Sequence, residues 1–387
     1  MPDLTIGALF PLTGPLSSDV GRQCVEAVRV ATEWFAPPGW NIRVVAGDPS
    51  SLENATTEAE RLIRDEGALL LCGSLRSDLA LRESEVAERM GALFWGVAGT
   101  AADEITTRGL RHTFRLSASA SNCYSRAAID HLGDVLAPGW GLAPADLPVA
   151  AAVEDVAFPQ SWAREAVRIA NERGFPTVGT FLCNDATEDL SRQVEEVRAS
   201  GAKVLLSAGF RNVVPRLWRA LRAKKPALRA IIGISGWAYP RDPELQKDGY
   251  GRAYTLGGPY LWSADRSGLP AKSREILERW WAASATSAAQ EVALDRDLTF
   301  SAMWVLCTHV LPNVKEPTVD AIAAATMALD IPMGDTPSGY GIKFDRERDN
   351  QRTYALVMQW QDGKRLAVGP QRFAVAKPDL RGPFPDA

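Results

Sequence analysis

Residues Ala8–Arg22 read ALFPLTGPLSSDVGR. An apolar run ends at Phe10, and a loop carrying Pro11, Gly14 and Pro15 follows. Ser17, Ser18 and Asp19 then lead into a segment whose apolar residues Cys24, Ala27, Val28, Ala31, Trp34 and Phe35 recur at helical spacing. A strand, a glycine-bearing loop and a helix in succession form the repeating unit of a parallel sheet. Such a loop holds a ligand in many proteins, so its chemistry matters. It lacks the lysine and spacing of a GxxxxGK[ST] phosphate loop, and no GxGxxG follows the first strand.

Outward from this stretch the same rhythm continues. Residues 4–10, 41–47, 68–73 and 92–97 read as strands that are apolar on both faces, with helices near 53–65 and 78–90 between them. The pattern restarts with strands at 147–154, 177–182, 202–209 and 229–235. Helices intervene around Trp162–Ala170, near 187–199 and near 213–222. Two α/β units in tandem, without a low-complexity linker, are therefore expected. Helices near 272–284 and 297–310 follow, then two strands within 341–370 that turn at Asp362-Gly363. The Pro-rich tail AKPDLRGPFPDA (376–387) is expected to be loosely ordered.

The totals agree with a two-unit globular chain. At 387 residues it exceeds one ordinary core, and with 46% hydrophobic and 23% charged residues it has the means to bury two. A formal net charge of −4 without a basic stripe argues against nucleic acid. The start, MPDLTIG, enters a strand at once without the pattern of an export leader, so the expectation is either a cytoplasmic protein, if this is the native full length, or a mature export product with a start Met added. Cys24, Cys72, Cys123, Cys183 and Cys307 are odd in number, widely spaced and form no CxxC, which points to core thiols rather than disulfides or a metal site.

Catalytic chemistry has no foothold. The three histidines (His112, His131, His309) are far apart, and HExxH and GxSxG are absent; GISGW (233–237) lacks the second spacer residue. Acidic pairs such as Asp103/Glu104 and Glu154/Asp155 read as surface charge or helix capping. No enzyme, metal or cofactor is expected. What remains is a set of loops after strands: Leu12–Gly14, GSLRSD (73–78), AGTAADE (98–104), EDVAFPQ (154–160), AGFRN (208–212) and SGWAY (235–239). Open parallel sheets bind ligands outside these strand ends. Small hydroxyl residues, backbone N–H groups and aromatics suit a small molecule.

These same stretches carry a family likeness. IGALFPLTGPLSSDVGRQ, LLLCGSLRSD, GVAGTAADEIT, TFRLSASAS, EDVAFPQ and IKFDRERDNQ…MQWQDGKRLAVGP stand in the order found in type I periplasmic solute-binding proteins. The chain resembles those serving branched-chain amino acid (Leu/Ile/Val) ABC importers, over nearly its whole length. The resemblance implies two Rossmann-like lobes with a ligand cleft between them. Residues 1–118 plus 259–340 would form the N-terminal lobe, and 119–258 plus 341–387 the C-terminal lobe. Three crossovers would fall near 116–120, 256–261 and 338–345. It also implies a periplasmic location for the mature form, docking on a membrane permease with its ATPases, and no enzymatic activity.

Site residues carry over by position. The first-lobe loops would clamp a ligand carboxylate through Ser77, Asp78, Ala98, Gly99 and Thr100, with helix N-termini favouring the anion. Phe158 and Phe210 stand where aromatics cover the ligand from the second lobe. The likeness breaks at two places. Ser235 replaces the acid that pairs with an amino acid's ammonium, and Asp19 or Val20 stands where a Tyr often sits. Removing one partner of a buried ion pair costs about 3–5 kcal/mol. With Trp237 and Tyr239 as further flat walls, the expected ligand is a small carboxylate without an α-amine, an aromatic or heteroaromatic acid. The alternatives are an amino-acid binder, with Asp78 or Glu154 replacing the acid, and a cytoplasmic amide-sensing regulator of the same fold.

Overall fold

The computed structural model describes residues 2–14, 18–210, 212–238, 250–258, 269–284 and 293–384. Pro15, Ser17 and Tyr239, singled out above, lie outside the described residues. The chain divides into two compact units, residues 1–119 with 269–353 and residues 120–268 with 354–387.

The first unit is built on β1 (Asp3–Leu9), which pairs in parallel with β2 (Asn41–Gly47) and β3 (Leu70–Gly73). With β4 (Leu93–Gly96) and β5 (Thr113–Arg115) the sheet order is β2-β1-β3-β4-β5. Helices α1 (Ser18–Phe35), α2 (Leu52–Arg64) and α3 (Ser77–Met90) connect successive strands, and the short α4 (Glu104–Thr107) follows β4. Local signals explain their ends. Ser51 accepts the Asn54 N–H at 3.1 Å to cap α2. Gly91, at φ 72°, closes α3 in the left-handed conformation. Gly21 is required by proximity, since a Cβ there would lie 1.8 Å from the Pro11 carbonyl oxygen. Helices Ala271–Ala283 and Ala293–Val305 complete the unit. There Phe300 stacks on Trp280 at 4.8 Å and meets Trp34 and Phe35 edge-on.

Residues 341–353 belong to this first unit, which corrects the lobe boundary expected at 340. β11 (Asp330–Ile331) and β12 (Ile342–Lys343) pair antiparallel. The following segment then docks on β5: Arg115 donates its N–H to the Arg348 carbonyl at 3.0 Å, and Asn350 donates to the Arg115 carbonyl at 3.1 Å. The buried Arg115 guanidinium adds a 2.8 Å bond to Asp349. The last passage between the units therefore falls after Thr353, not within 338–345.

The second unit holds β6 (Val149–Glu154), β7 (Thr177–Cys183), β8 (Val204–Gly209), β9 (Ala230–Ser235), β10 (Tyr254–Gly257), β13 (Leu356–Gln361) and β14 (Lys364–Gly369), in the order β14-β13-β10-β9-β8-β6-β7. The first five are mutually parallel; β13 and β14 add an antiparallel hairpin. Its turn is the expected Asp362-Gly363, both at positive φ (50° and 73°), the signature of a two-residue hairpin turn. Helices α5 (Arg126–His131), α6 (Ala137–Trp140), α7 (Ala157–Glu172), α8 (Ser191–Ala199) and α9 (Val213–Lys224) complete it. The helical stretch before β6 has no clear apolar period in sequence, because small residues open it and Pro138-Gly139 closes it.

The described part of the tail packs on the second unit, against expectation. Phe384 stacks on Trp218 at 5.5 Å, Trp140 donates to the Leu380 carbonyl at 2.9 Å, and Tyr254 donates to the Asp379 carbonyl at 2.7 Å. Its few aromatic and backbone groups find partners in the second unit's core, which outweighs the disorder its proline content suggests. All five cysteines are free and buried. Burial pushes the Cys24 and Cys72 thiols well up and those of Cys183 and Cys307 to about 12. Among the described residues no helix is long and apolar enough to cross a membrane, and no group of three His, Cys, Asp or Glu is placed to hold a metal ion.

Candidate functional site

The first unit gathers Ser77, Asp78, Ala98, Gly99 and Thr100 at the C-terminal ends of β3 and β4. Two loops are laced together there. Gly73 accepts the Val97 N–H and Ser74 accepts the Gly99 N–H, both at 2.8 Å. The approach is so close that a Cβ on Gly99 would lie 2.1 Å from the Leu75 carbonyl oxygen. Ser77, buried at the head of α3, donates its hydroxyl to the Gly99 carbonyl at 3.3 Å and accepts the Ala102 N–H at 3.1 Å. The Thr100 and Ser117 hydroxyls bond each other at 2.9 Å, fully buried. The Thr100 N–H is also spent, on the Ala98 carbonyl at 2.7 Å.

The hydroxyls expected to grip a ligand thus hold the loops in shape. What stays open is backbone. The N–H groups of Ser77, Asp78 and Ala98 have no acceptor among the described residues. Two of them open a 14-residue helix, where unspent N–H groups and the helix dipole favour an anion. The Asp78 carboxylate does not oppose that preference with a bare charge. It is paired with the Arg76 guanidinium through two bonds of 3.0 and 2.7 Å, and it also accepts the Leu79 N–H at 3.2 Å.

Arg115 braces this loop from below. Its guanidinium donates to the Ala102 carbonyl at 2.6 Å, the Ala101 carbonyl at 3.3 Å and the Thr106 hydroxyl at 3.3 Å. Neither Arg115 nor Ser117 stands out in sequence. A third residue does carry a signal that sequence reading passed over. Glu83 lies on the inward face of α3 among Leu79, Ala80, Val86 and Ala87, and it is fully buried. A charged residue at apolar helical spacing is the pattern that marks it.

The second unit places Phe158, Phe210 and Ser235 at comparable strand ends. Phe158, in the first turn of α7, is nearly buried and meets Tyr124 edge-on at 6.3 Å. Phe210 is half-buried, and its N–H donates to Glu154 Oε2 at 2.6 Å. Glu154, buried at the end of β6, therefore ties β6 to the loop after β8. Ser235 ends β9 at φ 60°, left-handed for a residue with a Cβ. A single turn of 3₁₀ helix, Gly236–Ala238, follows it.

Trp237 corrects the expected ligand wall. Its ring is wholly buried in the second unit's core, stacked on Tyr250 at 5.1 Å and edge-on to Trp218 at 6.2 Å. The left-handed turn at Ser235 throws the chain inward, so the next aromatic fills the core rather than facing a ligand. At the start of α1, Val20 is buried and Asp19 pairs with Arg22 on the surface at 2.5 Å.

Two parallel-sheet units with ligand-type loops at strand C-termini define a class of binding protein, and the comparisons agree. A family model described as periplasmic binding protein matches residues 3–365. The chain belongs to the periplasmic binding protein family. It is 29% identical over 383 residues to Leu/Ile/Val-binding protein homolog 8 of Brucella abortus, covering 97% of this chain and 93% of that one. Homolog 7 from the same organism is 27% identical over 379 residues, with the same coverage. Among solved structures, the leucine binding protein LivK of Thermotoga maritima aligns with a TM-score of 0.77 at 16% identity, covering 94% of this chain and 97% of that one. A solute binding protein of an ABC transporter from R. palustris, in complex with 4-hydroxybenzoate, aligns at 0.74 with 16% identity, covering 94% and 95%.

Proposed function

We propose that the chain is the solute-binding component of an ABC importer and takes a small carboxylate, specifically an aromatic or heteroaromatic acid. The carboxylate binds at the head of α3, on the N–H groups of Ser77, Asp78 and Ala98, beside Gly99 and Thr100. In the second unit, Phe158 and Phe210 stand near strand ends as the proposed aromatic contacts. The observation that carries the ligand class is Ser235: an uncharged, left-handed residue stands where an amino-acid binder of this family places an acid. The 4-hydroxybenzoate held by the R. palustris protein supports it as a ligand type compatible with this fold. Release to a membrane permease driven by ATPase subunits, in the periplasm, completes the role.

Isothermal titration with 4-hydroxybenzoate and with leucine tests the proposal. Binding of the aromatic acid without leucine is expected; tight leucine binding with no response to the aromatic acid overturns it. Two observations favour a second reading, an amino-acid ligand. Glu154 places a buried carboxylate at the end of β6, and the curated relatives carry Leu/Ile/Val-binding names. Leucine binding lost in Glu154→Gln would establish that reading instead.

A further inference from the structure

Glu83 is fully buried on α3, and the polar group beside its carboxyl is the Ser74 hydroxyl. The position is close to the loops of the proposed site. A Cβ on Gly73 would lie 2.9 Å from Glu83 Oε2 and 2.8 Å from the Leu9 carbonyl, so the carboxyl sits against the ends of β1 and β3. Gly73 and Ser74 are the residues whose carbonyls hold Val97 and Gly99. Glu83 therefore sits against the strand end whose carbonyls hold this loop in place.

Among the described residues no cation is paired with this carboxyl. Asp78, on the same helix, acts on it with like charge but is paired with Arg76. From β3 the facing titratable group is the buried Cys72 thiol, and behind that stands Cys24 of α1. On α2, Arg61 is paired with Glu58 and Glu66, and Glu60 with Arg89. On α4, Arg108 bonds Ser84 and Glu85. Arg115 of β5 is paired with Asp349 and Asp103, and His112 faces Glu88. β1 carries no titratable side chain at this end. Burial outweighs the Ser74 hydroxyl, which favours the ionised form, so the neutral acid prevails and the group is pushed well above the usual carboxylate range.

We infer that Glu83 is a specificity-determining residue of the loop site: held as a neutral acid beneath Gly73 and Ser74, it lets the loop accept an anion, and once ionised it repels one. The inference rests on the carboxylate reading proposed above. Ligand and proton then bind with positive coupling, because a carboxylate on the loop disfavours a second negative charge beneath it.

The test follows the Glu83 carboxyl by carbon-13 NMR, free and with excess 4-hydroxybenzoate, and measures the Kd of that probe for wild type and E83Q between about pH 5.5 and 8.5, where its carboxylate stays ionised. The free Glu83 resonance, assigned by its loss in E83Q, is expected to titrate well above the other glutamates and to move higher when the probe binds. The wild-type Kd rises up to about tenfold per pH unit across that interval, while E83Q binds with a flat profile. Titration of Glu83 at an ordinary carboxylate pH, an unchanged midpoint with ligand, or one pH profile shared by wild type and E83Q each overturns the inference. Failure of wild type to bind the probe at any pH defeats the carboxylate reading itself. Binding with a profile that E83Q shares defeats only the role given to Glu83.

Discussion

The loops of the first unit and those of the second begin from the same arrangement, a strand end followed by a helix, and diverge in what their side chains do. Around Gly99 the hydroxyls of Ser77, Thr100 and Ser117 bond backbone and one another, which leaves N–H groups at the head of α3 as the open chemistry. Around Ser235 the aromatic Trp237 turns into the core, and the buried acid Glu154 accepts the Phe210 N–H. A motif residue on a binding loop can thus shape the loop or fill the fold without touching ligand. Which of these it does depends on the local turn.

The sharpest way to break this comparison is at Trp237. Trp237→Ala should cost about 3–5 kcal/mol of stability, read by calorimetry, as for other buried aromatic truncations. Unchanged stability with lost ligand affinity would return Trp237 to the binding wall. Next comes His131, also in the second unit. Its two ring nitrogens lack partners, and burial lowers its pKa to about 4. The unfolded chain, titrating near the ordinary value of about 6.5, binds more protons than the folded one between those limits. Stability present above that value is lost as pH falls toward 4, by on the order of 3 kcal/mol. His131→Gln should flatten this slope in denaturant titrations between those pH values.

In the first unit, Gly99→Ala should push the two loops apart against the Leu75 carbonyl. The expected loss is about 1–3 kcal/mol, together with most of the affinity for 4-hydroxybenzoate, measured on one sample by thermal shift and titration calorimetry. The smallest effect belongs to Ser77→Ala, which unpairs the Ala102 N–H and should cost about 1 kcal/mol. Its Kd for the same probe should change by less than about tenfold, a difference worth under about 1.4 kcal/mol. A hundredfold loss of affinity at unchanged melting temperature would make the Ser77 hydroxyl a ligand contact after all.

Much of the fold was legible because periodicity reports burial. Strands such as Ala230–Ser235 and helices such as Val213–Lys224 announce themselves through their apolar faces. Elements too short for a period, such as Thr113–Arg115, and the helical stretch interrupted by Pro138-Gly139 do not. The allocation of residues 341–353 and the packing of the tail depend on partners distant in the chain: Asp349 with Arg115, Phe384 with Trp218. For the candidate site, the loops were legible and the duties of their side chains were not. A hydroxyl in GSLRSD reads the same whether its partner is a ligand or the Ala102 N–H. Glu83 was the converse case, a visible anomaly on an apolar face whose surroundings only the fold supplies.

The five buried thiols carry a practical consequence. With the thiolate disfavoured at Cys24, Cys72, Cys183 and Cys307, and Cys123 also enclosed, the native chain presents little to a maleimide at neutral pH. One cysteine introduced on an exposed loop would take a dye alone. The wild-type chain is already a clean background for a fluorescent reporter of whichever solute it captures.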